Sequence, residues 1–415
     1  MTELLSPAGN FEKMCAALRF GADAVYLAGK GFGMRSAADN FTDEELADAA
    51  AYVHARGKKL YLTVNTMPHG YEYARLREYL RTIGEIRPDG LIVSDMGVFA
   101  TVRELLPEMD VHVSTQASIV SPAAAKAWAA LGATRLVLAR ELNMQEVRAI
   151  REALDPTVEL EAFVHGSMCV SYSGRCMLSN EFTGRDANRG GCAQPCRWNY
   201  TIVEEKRPDE RLPVMENENG TFILSSKDMC MLRHVPQLIE AGVTSFKIEG
   251  RMKSAYYTAV VTNAYRMAID AYLADPVNYV FDEALYREVE SVSHRAYCTG
   301  YWFDDPRQNP QLTEDVGYIR EKAYFATVSA RGDLPEGLVA ENEQGKLCRL
   351  LQRNKVSLGD KAELLTPGRV GIPFAVTELY DENGAPIEAA PHPKMAFFCR
   401  LPHVASEGDI IRSGE

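Results

Sequence analysis

Several features are missing from this sequence, and each absence narrows what it can be. No stretch approaches 18 uncharged apolar residues, so no helix is expected to span a bilayer. Residues Met1 to Cys15 carry Glu3, Glu12 and a single Lys, without the basic-then-apolar layout of a secretory leader; a cytoplasmic protein is expected. Neither a repeat of fixed period nor a low-complexity segment occurs. There is no His-Glu-x-x-His pattern and no Gly-x-Ser-x-Gly pattern, which removes two common hydrolase layouts. Gly29-Lys30-Gly31-Phe32-Gly33 is glycine-rich but lacks the Gly-Lys-Ser/Thr ending of a phosphate loop, and reads as a tight turn after a strand. Basic residues are also short, 45 against 57 acidic, for a net charge of −12. That excludes a general nucleic-acid-coating surface, so any RNA contact has to be local.

What remains is an ordinary globular composition, 46% apolar and 25% charged over 415 residues, enough for one large domain and one small one. Eight short apolar runs alternate with amphipathic stretches. They are Leu4–Ser6, Ala24–Leu27, Leu60–Val64, Gly90–Val93, Val111–Ser114, Arg135–Leu138, Leu160–Val164 and Ser245–Ile248. Three helix ends run into Gly21, Gly132 and Gly242 before the next run, the residue type suited to the position past a helix C-terminus. Alternating β and α predicts a parallel sheet, and eight units predict an α/β fold of the (β/α)8, TIM-like barrel type; a doubly wound open sheet fits the same pattern less well. After a long helix from Ala255 to Ala274 the chain changes to short alternating segments rich in Gly and Pro. Residues 316–415 are expected to form a small all-β barrel domain, and residues 1–315 the large barrel.

One connection is too long. Between Val164 and Ser245 lie 80 residues, and within 165–240 fall five of the nine cysteines: Cys169, Cys176, Cys192, Cys196 and Cys230. In a barrel the loop after a strand opens on the C-terminal face, where active sites sit. Thiols clustered in a reducing compartment bind metal or do redox work rather than form disulfides. Only Cys192 and Cys196 form a close pair, so the spacing suits an iron–sulfur cluster better than a structural zinc, with free thiols as the third reading. Arg175, Arg185, Arg189 and Arg197 outnumber the nearby acids Glu181 and Asp186 and would balance a thiolate cluster or bind an anionic substrate.

The residues around these thiols carry a resemblance. Glu161-Ala-Phe-Val-His165-Gly166-Ser167-Met168-Cys169, Ser173-Gly174-Arg175-Cys176-Met-Leu178-Ser179, Gly191-Cys192-Ala-Gln-Pro-Cys196-Arg197-Trp198, Leu224-Ser225-Ser226-Lys227-Asp228-Met229-Cys230 and Phe246-Lys247-Ile248-Glu249-Gly250-Arg251-Met252-Lys253 resemble the signatures of the U32 "peptidase" family, as does the opening Glu3-Leu4-Leu5-Ser6-Pro7-Ala8-Gly9. The resemblance implies oxygen-independent hydroxylation with a [4Fe-4S] cluster. Length and a single C-terminal β-domain are most similar to the branch that forms 5-hydroxyuridine at the tRNA wobble position with prephenate as donor. Other branches act on ribosomal RNA cytidine or on a small aromatic ring. By resemblance Cys169, Cys176, Cys192 and Cys230 are the metal ligands, with Cys196 able to take the place of Cys230. Some relatives work as pairs, so a partner subunit or a homo-oligomer is a further expectation.

An enzyme of this kind would line its mouth with polar residues that end the strands. The catalytic candidates are His165, Glu249 and Arg251; the substrate-binding candidates are Arg35, Asn65, Ser114, Gln116 and Arg140. Ser94 and Asp95 end a strand in the same way. The guanidiniums of Arg35, Arg140 and Arg251 suit the carboxylates of prephenate. For tRNA, Lys346, Arg349, Arg353 and Lys355 fall within Gly345 to Lys355 without an acid, a candidate strip for the RNA backbone. The alternatives are a cysteine peptidase using Cys169 with His165, which leaves four clustered thiols idle, and a zinc-stabilised interaction protein.

Overall fold

The computed structural model describes residues 2–34, 39–169, 176–187, 190–198, 202–204, 207–212, 227–303, 318–329 and 334–414. Eight strands form its centre: β1 (Glu3–Pro7), β2 (Ala24–Leu27), β3 (Lys59–Val64), β4 (Gly90–Val93), β5 (Val111–Val113), β6 (Arg135–Val137), β7 (Glu159–Ser167) and β8 (Ser245–Ile248). Each pairs in parallel with the next, and β8 pairs with both β7 and β1. The register Glu3↔Ser245↔Glu161 closes the ring, which decides for the TIM-like barrel over an open sheet.

The helices between the strands begin where the sequence supplies caps. Asn10 accepts from the Lys13 N–H at the start of Phe11–Arg19, and Thr42 with Glu45 closes a capping box on Asp43–His54. Asn143 and Glu146 do the same for Met144–Ala153. Gly21, Gly132 and Gly242 sit past helix ends at φ of +104°, +98° and +83°, as their sequence context predicts. Helix faces and the outward sides of the strands share one apolar core, which includes Leu4, Val25, Leu62, Val113, Leu136 and Ile248.

The inside of the barrel is different. A small apolar cluster, Leu5, Ala24, Tyr26, Tyr61 and Ile92, shares the space with buried charge. Arg135, 1% exposed, reaches Glu3 Oε1 at 2.6 Å, Glu159 Oε2 at 2.6 Å and Glu161 Oε2 at 3.1 Å. The other Glu161 oxygen lies 2.6 Å from Lys247 Nζ. Burial pushes the Glu3 carboxyl up, but Arg135 and hydrogen bonds from Arg135, Tyr61 and Ser245 outweigh it and hold the group below its ordinary range.

The long connection between β7 and β8 holds a helix at Leu178–Thr183, a hairpin of Ile202–Glu204 with Arg207–Leu212, and a strand, Asp228–Cys230, that runs antiparallel to β7. The C-terminal region is an antiparallel sheet in the order Ile372–Ala375, Lys361–Leu365, Ile410–Ser413, Tyr324–Val328, Gly345–Gln352, Ala396–Leu401, Leu379–Asp381. It has its own core around Leu350, Leu364, Phe397 and Ile411. Its end strands do not pair with each other among the described residues, so the expected small barrel is a half-barrel; Pro373 on one end strand lacks the N–H that ladder pairing uses. Arg412 ties this sheet to the large domain through Glu288 Oε1 at 2.6 Å and Ser291 Oγ at 2.9 Å, and within the sheet it pairs with Glu363 Oε2 at 2.7 Å. The expected boundary at 315/316 lies outside the described residues.

The expected basic strip is divided. Lys346 and Arg349 stand an odd number of positions apart on Gly345–Gln352 and so point to opposite sheet faces. Arg349 Nη1 lies 3.3 Å from Ser329 Oγ, and Arg353 turns to the barrel and pairs with Glu12 at 2.5 Å. No single row of cations forms there.

Replacing Arg135 leaves three carboxylates, one of them fully buried, without their common partner. Arg135→Met is expected to lower unfolding free energy by about 3–5 kcal/mol. Urea unfolding followed by circular dichroism measures it; a loss under about 1 kcal/mol would remove the network from the account.

Candidate active site at the barrel mouth

The C-terminal ends of the strands surround a cavity of about 190 Å3. Asn65, Ser114, Gln116, Arg140, Glu249 and Arg251 line it, and so do Cys169, Cys176, Cys192 and Cys196. Tyr26, Thr63, Phe163 and Lys247, buried side chains on the strands themselves, belong to its lining as well. Six of the expected mouth residues are therefore brought together. Arg35, with Arg175 and Arg189, lies outside the described residues, as does the side chain of Arg197.

Three expected mouth residues do not line the cavity. Ser94 Oγ donates to the Asn65 carbonyl at 2.9 Å, and Asp95 caps the helix Met96–Leu105 by accepting from Val98 N–H at 2.9 Å. His165, 1% exposed, packs among the rings of Tyr257, Tyr265 and Tyr297, with ring centroids 6.0, 5.6 and 5.2 Å away. Burial takes its imidazole down to about 3, against an opposing pull from Asp228. It is neutral at neutral pH, and it does not line the cavity that Cys169 borders.

The cysteines divide in a way the spacing did not predict. Four thiols, Cys169, Cys176, Cys192 and Cys196, edge one cavity, and Cys230 is set apart. Cys230 pairs across the ladder with His165 and is buried in the apolar core; burial pushes its thiol up to about 12, with the Leu232 N–H and the Tyr265 hydroxyl opposing. Cys192 Sγ accepts from the Gln194 N–H at 3.4 Å, the kind of contact that tunes a metal-bound sulfur. Among the described residues no three His, Cys, Asp or Glu side chains converge as ligands of one metal ion. The thiols bound a space instead, which fits a cluster that takes each thiolate on a different iron. Of the remaining four cysteines, Cys348 and Cys399 are buried and Cys15 and Cys298 half-buried, in keeping with small apolar residues.

The polar walls are tightly arranged. Asn65 Nδ2 donates to Gln116 Oε1 at 2.6 Å, Gln116 Nε2 to the Asn65 carbonyl at 3.2 Å, and Asn65 Oδ1 accepts from Met34 N–H at 3.0 Å. Arg140 lies 4.0 Å over the Phe163 ring and donates to the Ser167 carbonyl at 2.9 Å. Arg251 donates to the Met34 carbonyl. Gly166 lets β7 pass against β8: at φ +106° a Cβ there would sit 2.6 Å from the Glu249 carbonyl oxygen.

The sequence reading missed Lys247, Thr63, Tyr26 and Phe163. A signal existed for one of them, since Lys247 is a charge in the middle of the apolar run Ser245–Ile248. Lys247 is 4% exposed and lies 4.5 Å over the Tyr26 ring and 5.3 Å over the Phe163 ring. Burial pulls its ammonium down and Glu161 pulls it back, leaving it below its ordinary value.

Comparison with known proteins follows this geometry. The family description "Peptidase family U32" matches residues 9–312, and "Peptidase family U32 C-terminal domain" matches residues 336–412. The chain belongs to the U32 family. It is 37% identical over 414 residues to the "tRNA hydroxylation protein P1" of Bacillus subtilis (strain 168), covering 100% of this chain and 95% of that one. It is 36% identical to the "tRNA hydroxylation protein P" of Escherichia coli (strain K12), covering 94% and 91%. The "23S rRNA 5-hydroxycytidine C2501 synthase" of the same organism is 40% identical over 66% of this chain and 40% of its own length.

Two buried imidazoles, His112 and His165, are held uncharged by the fold. Their folded values lie below the unfolded value, so the unfolded state takes up protons first and stability falls as pH drops below about 6.5. At pH 5 the loss from His165 is expected to be about 2 kcal/mol, and His165→Asn should remove it. Urea unfolding at pH 7 and pH 5 checks this; equal pH dependence in both proteins contradicts it.

Proposed function

We propose that this chain is an oxygen-independent RNA hydroxylase that forms 5-hydroxyuridine at the tRNA wobble position, with a [4Fe-4S] cluster and with prephenate as oxygen donor. The observation that carries the reading is one cavity at the C-terminal end of a TIM-like barrel bordered by four thiols, two guanidiniums and a buried lysine. Full-length relatives named for tRNA hydroxylation support the substrate class.

Cys169, Cys176, Cys192 and Cys196 would hold the cluster, with Cys196 in the place that family spacing gave to Cys230. When bound, the cluster supplies one-electron chemistry or a Lewis-acidic iron at the mouth. The rest falls to the protein. Arg140 and Arg251 are guanidiniums on the cavity wall, suited to hold the carboxylates of the donor in forked contacts. The Asn65–Gln116 pair fixes a further part of the wall, so the substrate meets a preorganised surface. Phe163, backed by Arg140, offers a flat face to a base, which must leave its stack to reach C5. The apolar side chains of the lining, Tyr26, Ile92, Val137 and Phe163, limit water around the reacting atoms. No observation in the mouth favours peptidase chemistry, because His165 is neutral, buried and absent from the lining of the cavity that the thiols border.

Two measurements test the reading. Mass spectrometry of tRNA nucleosides from a strain lacking the gene and any second copy should show loss of 5-hydroxyuridine derivatives, restored by the gene; undiminished levels contradict the reaction. In anaerobically purified protein, Cys196→Ser should lose most of the broad absorbance at about 400 nm expected of a [4Fe-4S] cluster, and Cys230→Ser should keep it. The reverse pattern would return Cys230 to the ligand set.

A further inference from the structure

Two polar groups in the deep part of the cavity have hydrogen-bonding capacity that the protein does not use. A lysine ammonium carries three donors. Lys247 gives one to Glu161, its one hydrogen bond among the described residues, and its ammonium also lies over the ring faces of Tyr26 and Phe163. Thr63 Oγ1 is buried and has no hydrogen-bond partner among the described residues. Buried polar groups are normally satisfied, and an unsatisfied one in a cavity points to a ligand. The neighbouring Asn65 and Gln116, by contrast, satisfy each other.

The missing ligand has to bring an acceptor to Lys247 and a flat body that fits beside two aromatic rings. A cavity of about 190 Å3 has room for one such ring at this depth. We infer that Lys247 is the specificity-determining residue of the mouth, donating to the C4 oxygen of an unstacked uracil, with the Thr63 hydroxyl as the second contact to the same base edge. The inference rests on the RNA-hydroxylating reading and sharpens it. C4 is bonded to C5, so anchoring the C4 oxygen fixes the position of the carbon to be hydroxylated. Cytosine carries an amino group at C4. That group would set donor against donor and leave the ammonium unpaired, the kind of mismatch by which a site discriminates strongly. Glu161 has a positioning role: held from below by Arg135, it fixes the Lys247 amine in place without occupying all its donors.

The test is binding of anticodon stem-loop RNAs that differ only by U or C at the target position. It uses anaerobically purified full-length protein and fluorescence anisotropy. Wild type is expected to prefer U. Lys247→Met should weaken the U loop about 30-fold and the C loop about twofold or less, compressing the ratio at least tenfold. Thr63→Val should weaken the U loop about fivefold. Its Tm should hold or rise, because the hydroxyl it removes has no partner inside the protein. Should Lys247→Met melt early from the loss of a cation beside Glu161, Thr63→Val carries the test alone. A U-to-C ratio unchanged from wild type in the folded variants overturns the assignment, even if 5-hydroxyuridine is made. RNA that binds with the expected ratios but is never hydroxylated counts against the reaction and leaves the assignment standing.

Discussion

The interior of the barrel is organised around one carboxylate. Glu161 is fully buried inside the ring of strands, with one oxygen on Arg135 and the other on Lys247. A carboxylate in that position is tolerated only when both lone-pair faces are met by charge-assisted partners. Meeting them requires β6, β7 and β8 in one register, and Arg135 extends the requirement to Glu3 on β1 and to Tyr61 on β3. The network therefore fixes the alignment of five strands and delivers a lysine to the floor of the mouth. A purely apolar interior would close the same barrel but would leave no cation beneath the substrate.

Above that floor, the strand ends divide the work. β3, β5 and β6 lead into the amide and guanidinium walls, and β7 leads straight from Phe163 into the thiol loop. The long connection spends its residues in two places. Its first part brings Cys176, Cys192 and Cys196 over the mouth beside Cys169, and its last part returns as a strand that buries Asp228 and Cys230 against β7. Asp228 meets Arg295 there at 2.8 Å, so this return strand is braced by its own ion pair, apart from the mouth.

Most of the architecture was legible in the sequence because it is written in local patterns. All eight barrel strands coincide with apolar runs, and the helix starts and stops follow caps and glycines. The closure of the C-terminal sheet was not legible, since whether end strands meet is a long-range property that alternation does not encode. The mouth was read in part. Strand-end position found Asn65, Ser114, Gln116, Arg140, Glu249 and Arg251, but the same rule also selected Ser94, Asp95 and His165, whose side chains are taken up by a backbone contact, a helix cap and a tyrosine cage. Spacing along the chain did not show that Cys196 borders the cavity, nor that a strand reversal carries Cys230 into the core. Lys247 was passed over because apolar neighbours in sequence disguised an inward-facing charge.

The central claim is the proposal that the four thiols of the mouth hold iron. Anomalous diffraction at the iron absorption edge, from crystals grown without oxygen, tests it most directly. The account predicts iron density within the cavity bounded by Cys169, Cys176, Cys192 and Cys196. Iron beside Cys230, or a mouth that takes up no iron when the protein is reconstituted, would contradict it.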